Sequence, residues 1–314
     1  MDIDLDPVRG FWPGDVSSFG ELVERFKYIG FQATELYKGA KIALRMIKDP
    51  DVTVFLGFTS NIISCGLREL IAYMVKEQWV DAIVTTVGGI EEDAMKSLGD
   101  FYIGSWDLND KELHERGINR IGNILVPTER YEALERFLTP IFKELYAQFR
   151  ESGRLPSPSE IARKIGEHLN DERSFLYWAA KKNVPVFCPA PTDGALGLQF
   201  FFFKENGHED FGIDVTADSE LLANMVYDAK KTGALIVGGG VPKHHIIGAN
   251  IVRGGLDYAV YITTAVEWDG SLSGARPREA ISWGKIKEEG KTAYIYGDAT
   301  IVLPLIVLAV SEWL

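Results

Sequence analysis

VTVFLGFTSN, residues 52–61, decides the fold. A continuous run of β-branched, aliphatic and aromatic residues to Phe58 reads as a strand buried on both faces, and Thr59-Ser60-Asn61 reads as the turn that ends it. Beyond the turn, Ile63, Leu67, Leu70, Ile71 and Met74 recur at helical spacing, which predicts a helix with one apolar face running to about Gln78. The theme then repeats. Val80–Thr86 (VDAIVTT) is a second strand ending in Gly88-Gly89, and Val184–Cys188, Ala234–Val237, Tyr258–Thr263 and Thr292–Tyr296 follow, separated by helix-length segments. Apolar strands alternating with helices predict an α/β fold, Rossmann-like, with a mainly parallel sheet and helices on both faces. Ser157-Pro158-Ser159-Glu160 marks a helix start: Ser as N-cap, Pro at the first helical position and Glu at the third, after a surface connection at Gly153–Pro156. No repeat, low-complexity tract or shift in composition divides the chain, so residues 1–314 read as a single domain with residues 1–50 as an N-terminal helical segment packed on it.

Apolar residues make up 46% and charged residues 25%, enough for a sizeable core. A formal charge of −12 argues against a nucleic-acid-binding surface, which needs a basic footprint. It suits a basic substrate, and equally plain solubility. Cys65 and Cys188 lie far apart in apolar contexts and read as buried thiols, not a disulfide framework. The start, MDIDLDPVRG, has no apolar core of a secretory signal. Ile301–Val310, interrupted by Pro304, reads as a core helix too short to span a bilayer. A cytoplasmic protein with neither membrane nor nucleic acid as partner is expected.

In parallel sheets ligands sit at the carboxyl ends of strands, where turn amides and helix N-termini converge. Five such ends carry small or polar residues: Thr59-Ser60-Asn61 with Ser64, Thr86-Val87-Gly88-Gly89, Asp193-Gly194, Gly238-Gly239-Gly240 and Thr263-Thr264-Ala265. None is a GxGxxG fingerprint, and GGGVPKHH lacks Walker A spacing. Each alone is more readily a packing turn than a site; together they favour a nucleotide-like ligand. Glu91-Glu92-Asp93 reads either as a solvated first helical turn, at least for one of the three, or as an acidic partner for a substrate ammonium. His244-His245 offers a general base near pH 7, and no set of residues at metal-ligand spacing accompanies it. By composition alone, Lys285 reads as an exposed surface lysine.

The stretches VRGF, IGFQAT (29–34), FLGFTSN (55–61), VDAIVTTVGGIEED (80–93), GINRIGNILVP (117–127), TDG (192–194), IVGGGVPKHHI (236–246), DYAVYITTA (257–265), SGARPREAISWGKI (273–286) and YGDATIVLPL (296–305) cover nearly the whole chain in order. Together they closely resemble the deoxyhypusine synthase family. The resemblance implies a single NAD-binding domain over 1–314, assembled as a homotetramer of two tight dimers with active sites at the dimer interface. It implies NAD-dependent cleavage of spermidine and transfer of its aminobutyl group, through an enzyme-lysine imine, to one lysine of translation initiation factor 5A. By the match Lys285 is the nucleophile, Trp283 walls its pocket, and His244 is the base. Glu91, Glu92 and Glu279, with Gly270 and Ser271, fall in the substrate-binding positions. The NAD contacts fall on Ser60, Asn61, Ser64, Thr86, Val87, Gly88, Asp193, Gly239, Thr264, Ala265, Asp298 and Ala299. At two positions where the family has carboxylates for substrate nitrogens, this chain has Leu198 and Leu272. That substitution leaves open compensation by Glu91, Glu267 or Asp269, or by a partner subunit, and it leaves open a different amine, such as agmatine or putrescine, as in homospermidine-forming relatives. A non-catalytic NAD-binding homologue is the third alternative.

Overall fold

The computed structural model describes residues 5–314; residues 1–4, the start of the acidic N-terminal stretch read above, lie outside the described residues. The strands are β1 (Val52–Phe58), β2 (Ala82–Thr85), β3 (Tyr102–Ile103), β4 (Ile118–Ile121), β5 (Ile124–Pro127), β6 (Val186–Phe187), β7 (Lys231–Val237), β8 (Leu256–Thr263) and β9 (Ile286–Tyr296). The chain forms two compact units, one of Met1–Gly57 with Met225–Leu314 and one of Phe58–Asn224.

In the first unit the strands hydrogen-bond in the order β1-β7-β8-β9. β7 and β8 run parallel from Gly233↔Tyr258 to Val237↔Ile262, and β8 and β9 run parallel from Tyr258↔Lys291 to Thr263↔Tyr296. Their apolar runs are the core: Phe55, Leu56, Ala234, Ile236, Val237, Ala259, Val260 and Ile262 are essentially inaccessible. Each such large side chain contributes about 1.5–3 kcal/mol by leaving water. The outermost strand, β9, instead alternates, burying Ala293 and Ile295 while Lys291 and Tyr296 face out. The helix Phe31–Lys48 lies close on these strands at Gly39, where a Cβ would come within 2.8 Å of Ile295. The helix Phe19–Phe26 starts on a Ser18 cap and is tied down by the Gly20 amide, which donates to Glu312 at 2.6 Å. Glu312 belongs to the last helix, Ala299–Trp313, which buries Val302, Leu303, Ile306, Val307 and Val310 as its apolar run requires.

In the second unit β2 and β6 pair in parallel, Ile83↔Val186 and Val84↔Phe187. The Ser157 box forms as read: the Ser157 hydroxyl accepts from the Glu160 amide at 3.2 Å, and the Glu160 carboxylate accepts from the Ser157 amide at 2.8 Å. Both units are built on parallel strands flanked by helices, so the α/β, mainly parallel architecture expected from the sequence is the one found.

Four details differ. The helix after Asn61 is broken into Asn61–Ser64 and Arg68–Lys76, because Cys65 turns extended before Gly66; Ile63, Leu67, Ile71 and Met74 are still buried. Gly88 and Gly89 do not end a strand but lie inside the helix Val87–Leu98. A small antiparallel sheet, β3-β5-β4, was not anticipated. Its hairpin turns at Gly122 (φ +61°) and Asn123, and Asn119 and Arg120 interrupt the apolar pattern by which the other strands are recognised. Cys188 is buried, which pushes its thiol up to about 12, whereas Cys65 is only half-buried. Among the described residues no helix is long and apolar enough to cross a membrane.

Candidate active site

In the first unit, three neighbouring strand ends present the small residues read from the sequence. After β7, Gly238 has φ +88° and its amide donates to the Ile262 carbonyl at 2.8 Å, so the chain turns sharply over the end of β8. Gly239 then passes so close to Ser273 that a Cβ would sit 2.5 Å from the Ser273 Cα. The Gly240 amide donates to the Ser273 hydroxyl at 3.1 Å and opens the helix Gly240–Ala249. β8 ends beside it with exposed Thr264 and half-buried Ala265. After β9, Asp298 caps the helix Ala299–Trp313, its carboxylate accepting from the Thr300 amide at 2.7 Å. Gly239, Thr264, Ala265, Asp298 and Ala299 therefore share one edge of the sheet. Bare backbone, a hydroxyl and two helix N-termini there suit a phosphate- and ribose-bearing ligand.

The lysine cavity belongs to the same unit. Proline at the first position starts the helix Pro277–Ser282; Gly284 at φ +65° ends the turn after it, and Lys285 leads into β9. The Lys285 amide donates to the Ala280 carbonyl at 2.9 Å and its carbonyl accepts from the Leu256 amide at 3.0 Å, so its backbone is held at both ends. Its ammonium lies 5.2 Å from the centre of the Trp283 ring. Lys285, Trp283, Glu279, Tyr261, Leu272 and Lys243 line a small cavity. Trp283 remains 66% exposed, so within this chain it forms one side of the cavity without enclosing it. Among the described residues, Glu279 is the only carboxylate in the lining. Of the groups that could replace a carboxylate at Leu272, Glu267 is engaged by Arg276 at 2.6 Å and Asp269 accepts from the Ser271 amide at 2.7 Å. His244 is exposed on the helix Gly240–Ala249, and Gly270 and Ser271 are exposed in their loop; none of the three lines the cavity. His245 is half-buried, and burial, reinforced by His244, lowers its pKa. Lys243, which the sequence reading passed over for its histidine neighbours, is 1% exposed. Burial brings its pKa down to about 8.

In the second unit a further set converges. The Ser60 amide donates to the Thr86 hydroxyl at 3.1 Å, and a Cβ on Gly88 would meet the Ser60 Cβ at 2.7 Å. Val87 begins the helix Val87–Leu98, whose Glu92 accepts from the Ser64 hydroxyl. Glu91 accepts from the Leu196 amide at 2.7 Å, and a Cβ on Gly194, next to exposed Asp193, would lie 2.9 Å from its carboxylate. Asn61 is exposed and accepts from the Thr59 hydroxyl at 2.5 Å. The expectation of a solvated acidic turn is corrected: Glu91, Glu92 and Asp93 are all buried, because the helix starts at Val87 and places them in its second turn. Asp93 has a structural partner, Arg68, at 2.5 Å, and also accepts from Ser174 at 2.6 Å. Burial is the main reason that Glu92 is pushed up to about 7 and Glu91 is raised. Tyr131, missed in the sequence, is half-buried, and its pKa is raised by burial and by the charges of Glu91 and Glu92. Leu198 is 52% exposed on the helix Ala195–Glu205.

Among the described residues no group of three or more His, Cys, Asp or Glu side chains is arranged to hold a metal ion. The family model for deoxyhypusine synthase matches residues 21–310. A "Probable deoxyhypusine synthase" of Thermococcus kodakarensis is 49% identical, covering 98% of this chain and 94% of its own. One of Pyrococcus abyssi bearing the same name is 48% identical, covering 97% and 94%. Among solved structures, "Crystal Structure of a putative deoxyhypusine synthase from Entamoeba histolytica" superposes with a TM-score of 0.69 at 28% identity, covering 96% of both chains.

Proposed function

The chain belongs to the deoxyhypusine synthase family of transferases, and from that premise we propose that it moves the aminobutyl group of spermidine, with NAD, onto a lysine of translation initiation factor 5A. The observation that carries this reading is the Lys285 amine, held over Trp283 in a cavity whose one carboxylate is Glu279. Within the first unit, Gly239, Thr264, Ala265, Asp298 and Ala299 are the residues that would hold NAD; within the second, taken by itself, Ser60, Asn61, Ser64, Thr86, Val87, Gly88 and Asp193 are proposed as nucleotide contacts. The fit rests on the donors at the strand ends of the first unit, where the exposed Thr264 lies by the starts of the helices Gly240–Ala249 and Ala299–Trp313. NAD supplies a hydride acceptor that oxidises an amine to an electrophilic imine, and later a hydride donor that reduces the product.

The chain's own residues do the rest. Glu279 holds a substrate ammonium by charge, with Gly270 and Ser271 assigned to the rim; Glu91 and Glu92, within the second unit, are proposed in their own right as carboxylates for an amine nitrogen. His244 takes the proton released as the amine is oxidised. Once its proton has passed to solvent, the Lys285 nitrogen attacks the imine carbon; the remainder of the donor leaves as an amine, and the butyl fragment stays on Lys285 as a new imine. The acceptor lysine then displaces Lys285 by the same exchange. We assign the reaction to the cytoplasm and to a homotetramer.

Leu272 favours a second reading, in which the same chemistry serves another amine such as putrescine or agmatine, because it leaves the cavity with Glu279 alone as carboxylate. Incubation with NAD and an amine panel, followed by NADH absorbance, and then with factor 5A and labelled spermidine, separates the readings. Label on the factor is expected. Amine oxidation without label supports the second reading, and no oxidation with any amine leaves a non-catalytic NAD-binding homologue.

A further inference from the structure

Lys243 is buried against the cavity, yet no step above uses it. Its ammonium donates to the carbonyls of Leu272 and Ala275, both at 2.7 Å, and lies 4.3 Å from the centre of the Tyr261 ring. A lysine is buried at this cost only where its donors are satisfied, and two main-chain carbonyls and an aromatic face satisfy them here. Both carbonyls belong to one short segment, residues 272–275. The same segment is tied to the start of the lysine's own helix through the Ser273 hydroxyl, which accepts from the Gly240 amide at 3.1 Å. Its far side is held by Tyr294, whose hydroxyl donates to the Gly274 carbonyl at 3.2 Å. Directly after it come Arg276 and the helix Pro277–Ser282, which carries Glu279 and leads to Trp283 and Lys285.

We propose that Lys243 is a positioning residue: by clamping the carbonyls of Leu272 and Ala275 it fixes the segment that sets Glu279, Trp283 and Lys285 against the turn at Gly238–Gly240. The catalytic consequence rests on the function proposed above; the structural one does not. The clamp spans the two parts of the unit that must stay in register, the glycine turn at the end of β7 and the lysine strand β9. A misplacement of about 1 Å between reacting groups costs on the order of 100-fold in rate.

The test is Lys243→Met, which keeps the buried stem and removes the donors, with Ser273→Ala as a second variant that leaves the lysine intact and removes the companion bond. Amide hydrogen exchange of residues 270–285 is measured on each full-length protein, with no substrate present. Exchange should quicken at least tenfold in that segment in Lys243→Met, and less in Ser273→Ala, while residues of β1 and β7 keep their rates. In turnover, kcat should fall at least tenfold with the KM for NAD within about threefold. Should Lys243→Met fail to fold, faster exchange confined to 270–285 in Ser273→Ala carries the proposal, and wild-type exchange there overturns it. Exchange unchanged in Lys243→Met also overturns it, whether or not activity falls, since a loss of activity would then mean direct contact with substrate. If no amine is oxidised even by the wild type, the functional reading fails while the exchange result still decides the clamp.

Discussion

Glu92 accepts from Ser64 inside the second unit and is 8% exposed. Its pKa in the folded chain is about 7 against an ordinary 4.5, so between those values the folded state keeps a proton that the unfolded chain has lost. Stability linked to this group is therefore fully present below pH 4.5 and is lost as pH rises through about 7. Glu92→Gln should flatten the fall in Tm across that window and, at pH 8, stabilise the protein by up to about 3 kcal/mol, at 1.36 kcal/mol per pKa unit. Denaturant melts at pH 5 and pH 8 check this; a wild-type slope in the variant would assign the pH dependence to another group. If Glu92 holds a substrate nitrogen, the same variant should also lose affinity for the amine donor. None of this was legible at residue level, because three acidic residues in a row carry no mark of burial, and a helix start placed a turn too late puts them in water. Lys243 and Tyr131 were invisible for the same reason.

At the scale of elements, the strands were legible because parallel strands covered on both faces read as unbroken apolar runs, and the Ser157 start because its cap chemistry is local. What was not legible depends on departures from pattern: the break at Cys65 and Gly66, and the hairpin of β4 and β5, whose first strand is interrupted by Asn119 and Arg120. The strand-end glycines were readable as turns, but only geometry separates a packing turn from a cradle. Gly239 is the sharpest instance, with Ser273 main chain where a Cβ would go. Gly239→Ala should push the turn and the 272–275 segment apart, weakening NAD binding at least tenfold and lowering Tm by several degrees. Titration of NAD by intrinsic fluorescence measures the first effect. Unchanged affinity would remove this turn from the cofactor site.

For the whole molecule, the net charge of −12 sets the field that the proposed polycationic donor would meet. Raising ionic strength from 50 to 500 mM should raise the KM for spermidine several-fold and leave kcat nearly constant, since screening acts on encounter and not on the covalent steps. A flat KM would mean that only short-range contacts matter. The fold class followed from patterning over the whole chain; the role given to Lys285 comes from the family resemblance, since composition alone reads it as a surface lysine. The proposed chemistry depends on that residue. Borohydride reduction of the protein incubated with NAD and labelled spermidine, followed by peptide mapping, tests it most directly. One labelled butylamine adduct on Lys285 and none in Lys285→Ala are expected; an adduct that persists in the variant, or maps to another lysine, would refute the role of Lys285.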